Sequence, residues 1–271
     1  MKNFPGSPVA MIESLWNHRR LIKASVQREI VGRYRGSILG GAWSILLPVF
    51  MLAVYTFVFS DIFKARWGTH DSKTDFALVL YSGLIVFNIF SDCVGRSVGV
   101  IVSNINFVKK VVFPLEILPI VVLLTAVYHA LLSWLVWLIA YVVVIGWPSW
   151  VILGFPLVFM PFCIFLSGIA WFLAALGVYV RDVAQFMPVA ISVTLFLSPV
   201  FYSIEAVPEK YRNFIYLNPL AIFIEQTRNV LFFADFPATG NMLMLWGLAI
   251  SSAIFGFLFF QKTRRGFADV L

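Results

Sequence analysis

The sequence predicts an all-α integral membrane protein. It has six transmembrane helices, an N-terminal amphipathic interfacial helix, and re-entrant short helices between spans five and six. Three observations carry this. Of 271 residues, 61% are hydrophobic and 12% charged, against about 45–50% and about 25% in soluble domains. The apolar residues fall into runs near the ~20 residues a bilayer requires. Residues 117–180 contain no Asp, Glu, Lys or Arg, and a run that long must cross more than once. The composition excludes a disordered chain, a collagen-like chain and an ordinary cytosolic enzyme. Residues 1–271 read as a single transmembrane domain with no separate soluble unit.

Residues 1–37 form the arm. Ser7-Pro8 is a helix N-cap followed by proline at the first helical position. Ile12, Leu15, Trp16, Ile22, Val26 and Ile30 recur at helical spacing, with Arg19, Arg20, Lys23 and Arg28 elsewhere. Such a stretch lies on headgroups or packs on a partner subunit. The arm has no long apolar run and no small-residue cleavage site, so no signal peptide is expected. The spans are 38–60, with Pro48 as a kink, then 76–102, 117–145, 150–178, 183–204 and 236–261. The third and fourth are separated at Gly146-Trp147-Pro148-Ser149, a turn signal.

Between spans five and six, the apolar pieces around Asn218-Pro219 are too short to cross. Short apolar pieces suit a re-entrant segment buried in protein or lining water, or else a helix flat on the surface. Six spans put both termini on one side. The arm, the 92–116 and 179–186 loops and the C-terminal tail hold fourteen of the twenty Lys and Arg. The positive-inside rule therefore puts both termini in the cytoplasm. The charge of +7 is a topology signal rather than a sign of nucleic-acid binding.

No phosphate-loop motif G-x-x-x-x-G-K-[ST] and no H-E-x-x-H occurs. No cofactor, metal or catalytic residue is expected. Gly95-Arg96-Ser97-Val98-Gly99 matches the hydrolase G-x-S-x-G, but that motif needs a strand before its serine, and none is predicted. Its glycines, and Gly32, Gly36 and Gly40, read instead as small-residue stripes for close helix packing within or between subunits. Asp92 and Arg96 are spaced to pair on one helix face. His129 reads as a satisfied contact between helices, and Cys93 and Cys163 as buried thiols without a ligand pattern.

Two groups of residues bear on function. Aromatics make up 17% of the chain, and most must face lipid or core. Phe50, Tyr55, Phe57 and Phe59 on the first span and Phe196, Phe201 and Tyr202 on the fifth are candidates for a sugar-stacking surface. The loop around Phe107, Lys109, Lys110, Phe113 and Glu116 mixes apolar and charged residues where a connection needs no apolar ones. It reads as a docking surface, or as a short interfacial helix anchored by its aromatics.

At this point the chain resembles the permease subunit of type-2 ATP-binding cassette exporters of O-antigen, capsule or teichoic acid. The resemblance rests on several pieces in order. They begin with Arg28, Arg33-Tyr34, Ser37, Leu39-Gly40, Trp43 and Pro48. Asn106-Phe107-Val108-Lys109-Lys110, Phe113-Pro114 and Ile117-Leu118-Pro119 follow. Arg181-Asp182-Val183, Ser198-Pro199-Val200-Phe201-Tyr202 and Tyr216-Leu217-Asn218-Pro219 complete the set. It implies a homodimer in the bacterial inner membrane, paired with two copies of a separate ATPase. The implied substrate is a lipid-linked polysaccharide threaded along the first and fifth spans. It also implies that the 103–116 loop couples to the ATPase. Tyr216, Asn218, Pro219, Glu225 and Arg228 would belong to an outward-side gate. The chain itself would be a transport subunit, not an enzyme. A membrane enzyme acting on lipid-linked sugars, and a drug or small-lipid exporter of the same superfamily, are the rival readings.

Overall fold

The computed structural model describes residues 7–63, 73–109 and 113–271, and every regular element among them is helical. Ser7 caps α1 (Pro8–Asn17), accepting from the Ala10 amide at 3.2 Å. The arm is two helices, because His18 interrupts it before α2 (Arg19–Arg33). Ile22 is buried, and Leu15 and Val26 pack with it beside α6 (Ile117–Val144). Ile12 and Trp16 stay exposed.

The first span begins with a turn at Gly40–Ala42, continues as α3 (Trp43–Tyr55) and ends in a π-helical stretch, Thr56–Ile62. Pro48 sits inside α3, where its ring disrupts the backbone ladder. Its carbonyl accepts from the Tyr81 hydroxyl at 3.1 Å. Only 6% of this span's most apolar window is buried, against 78% for α4 (Lys73–Ser97), the central helix. Ser97, at the end of α4, is fully buried, so no exposed nucleophile elbow exists there.

A short helix, α5 (Ile105–Lys109), leads to α6, and α7 (Phe155–Tyr179) returns after the turn at Trp150–Gly154. Trp137 ties α6 to α4 by donating to the Leu78 carbonyl at 2.8 Å. The closest helix pair is α7 with α11 (Thr239–Thr263). A Cβ on Gly168 would meet the Ser252 carbonyl oxygen at 2.2 Å, and one on Gly256 the Gly168 oxygen at 2.0 Å. Within the protomer, the glycines singled out from sequence play no such part. Gly32, Gly36, Gly40 and Gly99 have open space, and Gly95 has ordinary contact with Ile191. Gly36 and Gly40, at φ of +86° and +51°, serve the turns after α2 instead.

Five helices among the described residues are long and apolar enough to cross a membrane. The fifth expected span is α8 (Asp182–Leu197), apolar but of 16 residues. At ~1.5 Å per residue it reaches about 24 Å, short of the ~30 Å hydrocarbon core. It stops at Leu197 because Pro199 forces Ser198 out of the helical region, to φ −100° and ψ 146°. Two short helices follow, α9 (Glu209–Tyr216) and α10 (Pro219–Arg228), then a π-helical turn at Asn229–Phe233. Asn218 caps α10 by accepting from the Leu220 amide at 3.0 Å, with Pro219 at its first position. α12 (Phe267–Val270) ends the chain.

Candidate functional site

The aromatic residues of the first span and of the region after α8 meet. Phe59 lies parallel to Phe201, 5.9 Å between ring centres at 19°, and Phe201 continues to Phe196 at 6.4 Å. In the other direction Phe59 touches Tyr55 at 6.4 Å, and Tyr55 touches Tyr81 of α4 at 6.3 Å. The π-helical geometry at Thr56–Ile62 sets the direction of Phe59; such bulges recur where a helix is shaped for function. Tyr202 donates to the Phe196 carbonyl at 3.2 Å, which folds the turn back onto α8. Phe50 and Phe57 are not in this ladder; they stand exposed on the first span. Tyr81 was not singled out from sequence, since one tyrosine in an apolar helix carries no signal.

The gate candidates separate into distinct environments. Tyr216 ends α9 and is exposed, while Asn218 and Pro219 form the start of α10. Asn218 also donates to the Ser198 hydroxyl at 2.8 Å, joining α10 to the end of α8. Glu225 is half-buried. Arg228 is 2% exposed, and its guanidinium serves three main-chain carbonyls. Nε donates to Val79 at 3.1 Å, Nη2 to Val200 at 2.6 Å, and Nη1 to Pro199. This clamp fastens α10 to α4 and to the turn after α8. It fits because Gly83 has no side chain: a Cβ there would lie 2.5 Å from Nη2.

The docking candidates lie together at the other end. Phe107 and Phe113 stack face to face, 4.3 Å apart at 9°. Lys109 donates to the Leu271 carbonyl at 2.5 Å, and Lys110 lies outside the described residues. Glu116 is 6% exposed. It accepts from the Ser14 hydroxyl at 2.8 Å and from Arg264 Nη1 at 2.5 Å. Arg264 reaches on to the Phe113 carbonyl at 3.0 Å, and Trp171 donates to the Glu116 carbonyl at 2.8 Å. Glu116, just before α6, therefore links α1 and the C-terminal segment through its carboxylate and α7 through its main-chain carbonyl. Sequence reasoning missed Ser14, Trp171 and Arg264, which converge on Glu116 from distant stretches of chain.

The expected Asp92–Arg96 pair is present at 3.2 Å and is part of a longer chain. Arg33 approaches Asp92 at 3.5 Å, and Arg96 also contacts Glu29. Two cations and two carboxylates thus alternate between α2 and α4. Cys93 is buried, and both cysteines are free.

Residues 20–232 match the family model described as ABC-2 type transporter. The chain belongs to the ABC-2 type transporter family. Among curated relatives of this ABC-2 protein is the O-antigen export system permease protein RfbA of Myxococcus xanthus. It is 25% identical over 263 residues, covering 96% of this chain and 99% of that one. A Klebsiella pneumoniae protein of the same name is 26% identical, covering 93% and 95%. The polysialic acid transport protein KpsM of Escherichia coli is 28% identical over 214 residues, 76% of this chain and 79% of its own.

Proposed function

We propose that this ABC-2 protein is the membrane-spanning subunit of an ATP-driven exporter that moves a lipid-linked cell-surface polysaccharide across the bacterial inner membrane. One observation carries the reading: similarity over more than nine-tenths of the chain to permeases named for O-antigen export. The structure adds support. An aromatic ladder joins the first span to the turn after α8, and aromatic faces suit the C–H faces of sugar rings. The first span, nearly bare in one protomer, is left for a second copy and for substrate. The Phe107–Phe113 stack over the Glu116 hub suits a rigid ATPase contact, and two ATPase copies would serve two protomers. ATP hydrolysis belongs to that separate subunit, since the sequence lacks a phosphate loop.

In this reading both termini are cytoplasmic, and α8 is the fifth of six spans. The Ser198–Tyr202 turn and α10 complete its passage in the outer half of the membrane. α10 is buried among α4 and α7, with Phe223 against Phe162 at 5.1 Å, which favours re-entry over a helix flat on the surface. The test is deletion of this gene in a cell that makes a lipid-linked glycan. Surface glycan should vanish, and glycan should accumulate inside until the chain is restored together with its ATPase. Unchanged surface glycan, with loss of a drug- or lipid-efflux phenotype instead, would refute the polysaccharide reading.

A further inference from the structure

A cleft of about 400 Å³ opens between the first span, α4 and α6, closed at one end by the tip of α2. It lies within one copy of the chain and adjoins the aromatic ladder at Tyr55 and Tyr81. Asn88 is the single exposed residue in the stretch 76–94 of α4, and the space it is exposed to is this cleft. Asn88 and Ser91 make no side-chain hydrogen bond to other described residues, and buried His129 Nε2 has no partner. The Asn88 amide and the Ser91 hydroxyl thus line one cavity with their hydrogen-bonding groups available to a ligand.

The charges at the cleft's inner end indicate what that is. Arg33 lies against Asp92 and Arg96 against Asp92 and Glu29, so each cation has a carboxylate beside it and none is in surplus to hold a phosphate. The free groups are neutral donors and acceptors. The walls carry Trp43, whose indole N–H is already spent on Ser37 at 3.0 Å, so that its ring face is what it offers. Flat apolar faces beside neutral hydrogen-bonding groups match a hydroxylated ring. Tyr55 and Tyr81 belong both to the cleft and to the aromatic ladder, so the two surfaces are continuous.

We propose that this cleft is a subsite for one neutral sugar ring of the exported glycan, held by Asn88 and Ser91 against Trp43. The proposal rests on the polysaccharide reading above and deepens it.

The test is photo-crosslinking in intact cells that make the glycan and the whole transporter. A benzophenone amino acid replaces Met51 on the cleft wall, Phe196 on the ladder, or Leu131, which is exposed and outside both. The probe is the cell's own glycan, read as a carbohydrate-staining, mass-shifted permease band. Adducts are expected at Met51 and Phe196 but not at Leu131. In an Asn88→Leu/Ser91→Val background the Met51 adduct should fall about tenfold, the effect of losing one or two hydrogen bonds, while the Phe196 adduct persists. An adduct at Phe196 without one at Met51 would overturn the subsite and leave the export reading standing. A Met51 adduct no stronger than that at Leu131, unshifted by the double substitution, or carrying only the mass of a membrane glycolipid also overturns it. Absence at both Met51 and Phe196 counts against the export reading as well.

Discussion

Replacing Arg228 tests whether the clamp holds α10, α4 and the turn after α8 together. Its guanidinium makes three charge-assisted hydrogen bonds, to the carbonyls of Val79, Pro199 and Val200. Bonds to charged groups contribute about 1.5–3 kcal/mol each, so simple addition gives roughly 4–9 kcal/mol. The bonds share one side chain and do not add fully, and removing one partner of a buried ionic contact costs about 3–5 kcal/mol. Arg228→Met should therefore destabilise by ~4 kcal/mol, because the three carbonyls stay buried and lose their donor. That is a large share of the 5–15 kcal/mol available to a typical folded domain. Arg228→Lys should fall between, since a point ammonium cannot serve three carbonyls held in the geometry of a fork. Gly83→Ala supplies an independent arm: it removes no charge, yet places a Cβ 2.5 Å from Nη2. The assay is thermal unfolding of purified protein by size-exclusion fluorescence, alongside surface glycan. Wild-type melting and export in both Arg228→Met and Gly83→Ala would refute the clamp.

Three further outcomes are expected. Glu116→Gln should destabilise by about 3–5 kcal/mol and Ser14→Ala by only about 1 kcal/mol, both read by the same melting assay. Gly256→Val should prevent accumulation of folded protein, because its Cβ meets the Gly168 carbonyl oxygen at 2.0 Å, whereas Gly32→Ala, in open space, should accumulate normally on a membrane-fraction blot. Phe107→Ala with Phe113→Ala should reduce ATPase co-purification, since buried aromatics dominate interfaces, while the permease itself remains monodisperse.

The sequence revealed most where a local rule governs structure. Apolar run length located the five helices among the described residues that are long enough to cross a membrane, and Asn218-Pro219 marked the cap and first turn of α10 because both signals act within three residues. The same kind of signal at Ser198-Pro199 was available and decides where α8 stops. Tyr55, Phe59, Phe201 and Phe196 come together, whereas Phe50 and Phe57 turn outward, because a helix bearing aromatics all round cannot aim every one at a single surface. The glycines illustrate the limit. Small-residue spacing is a property of one helix, but close approach needs two, and the pair that meets is Gly168 with Gly256. The resemblance implies a gate role for Arg228, and charge beside apolar sequence suggests a docking role for Glu116. Their partners, carbonyls and side chains far along the chain, become neighbours only in the fold.

Those two residues also divide the protomer into what is fixed and what is free to change. Arg228 binds α10, α4 and the turn after α8 at one end. Glu116 binds α1, α6, α7 and the C-terminal segment at the other. Between them, α4, α6, α7 and α11 share a continuous buried core. The first span lacks that cover, and α8 buries only Met187. Segments with few buried contacts open at the lowest free energy, and elements that move in transport are drawn from them. The ion chain from Glu29 to Arg33 through Arg96 and Asp92 ties α2, which precedes the first span, back to α4. Movement of the first span away from α4 would have to break that chain or carry it along. The cleft at Asn88 lies along the same seam, between the first span and α4, so widening it and loosening the ion chain are one displacement.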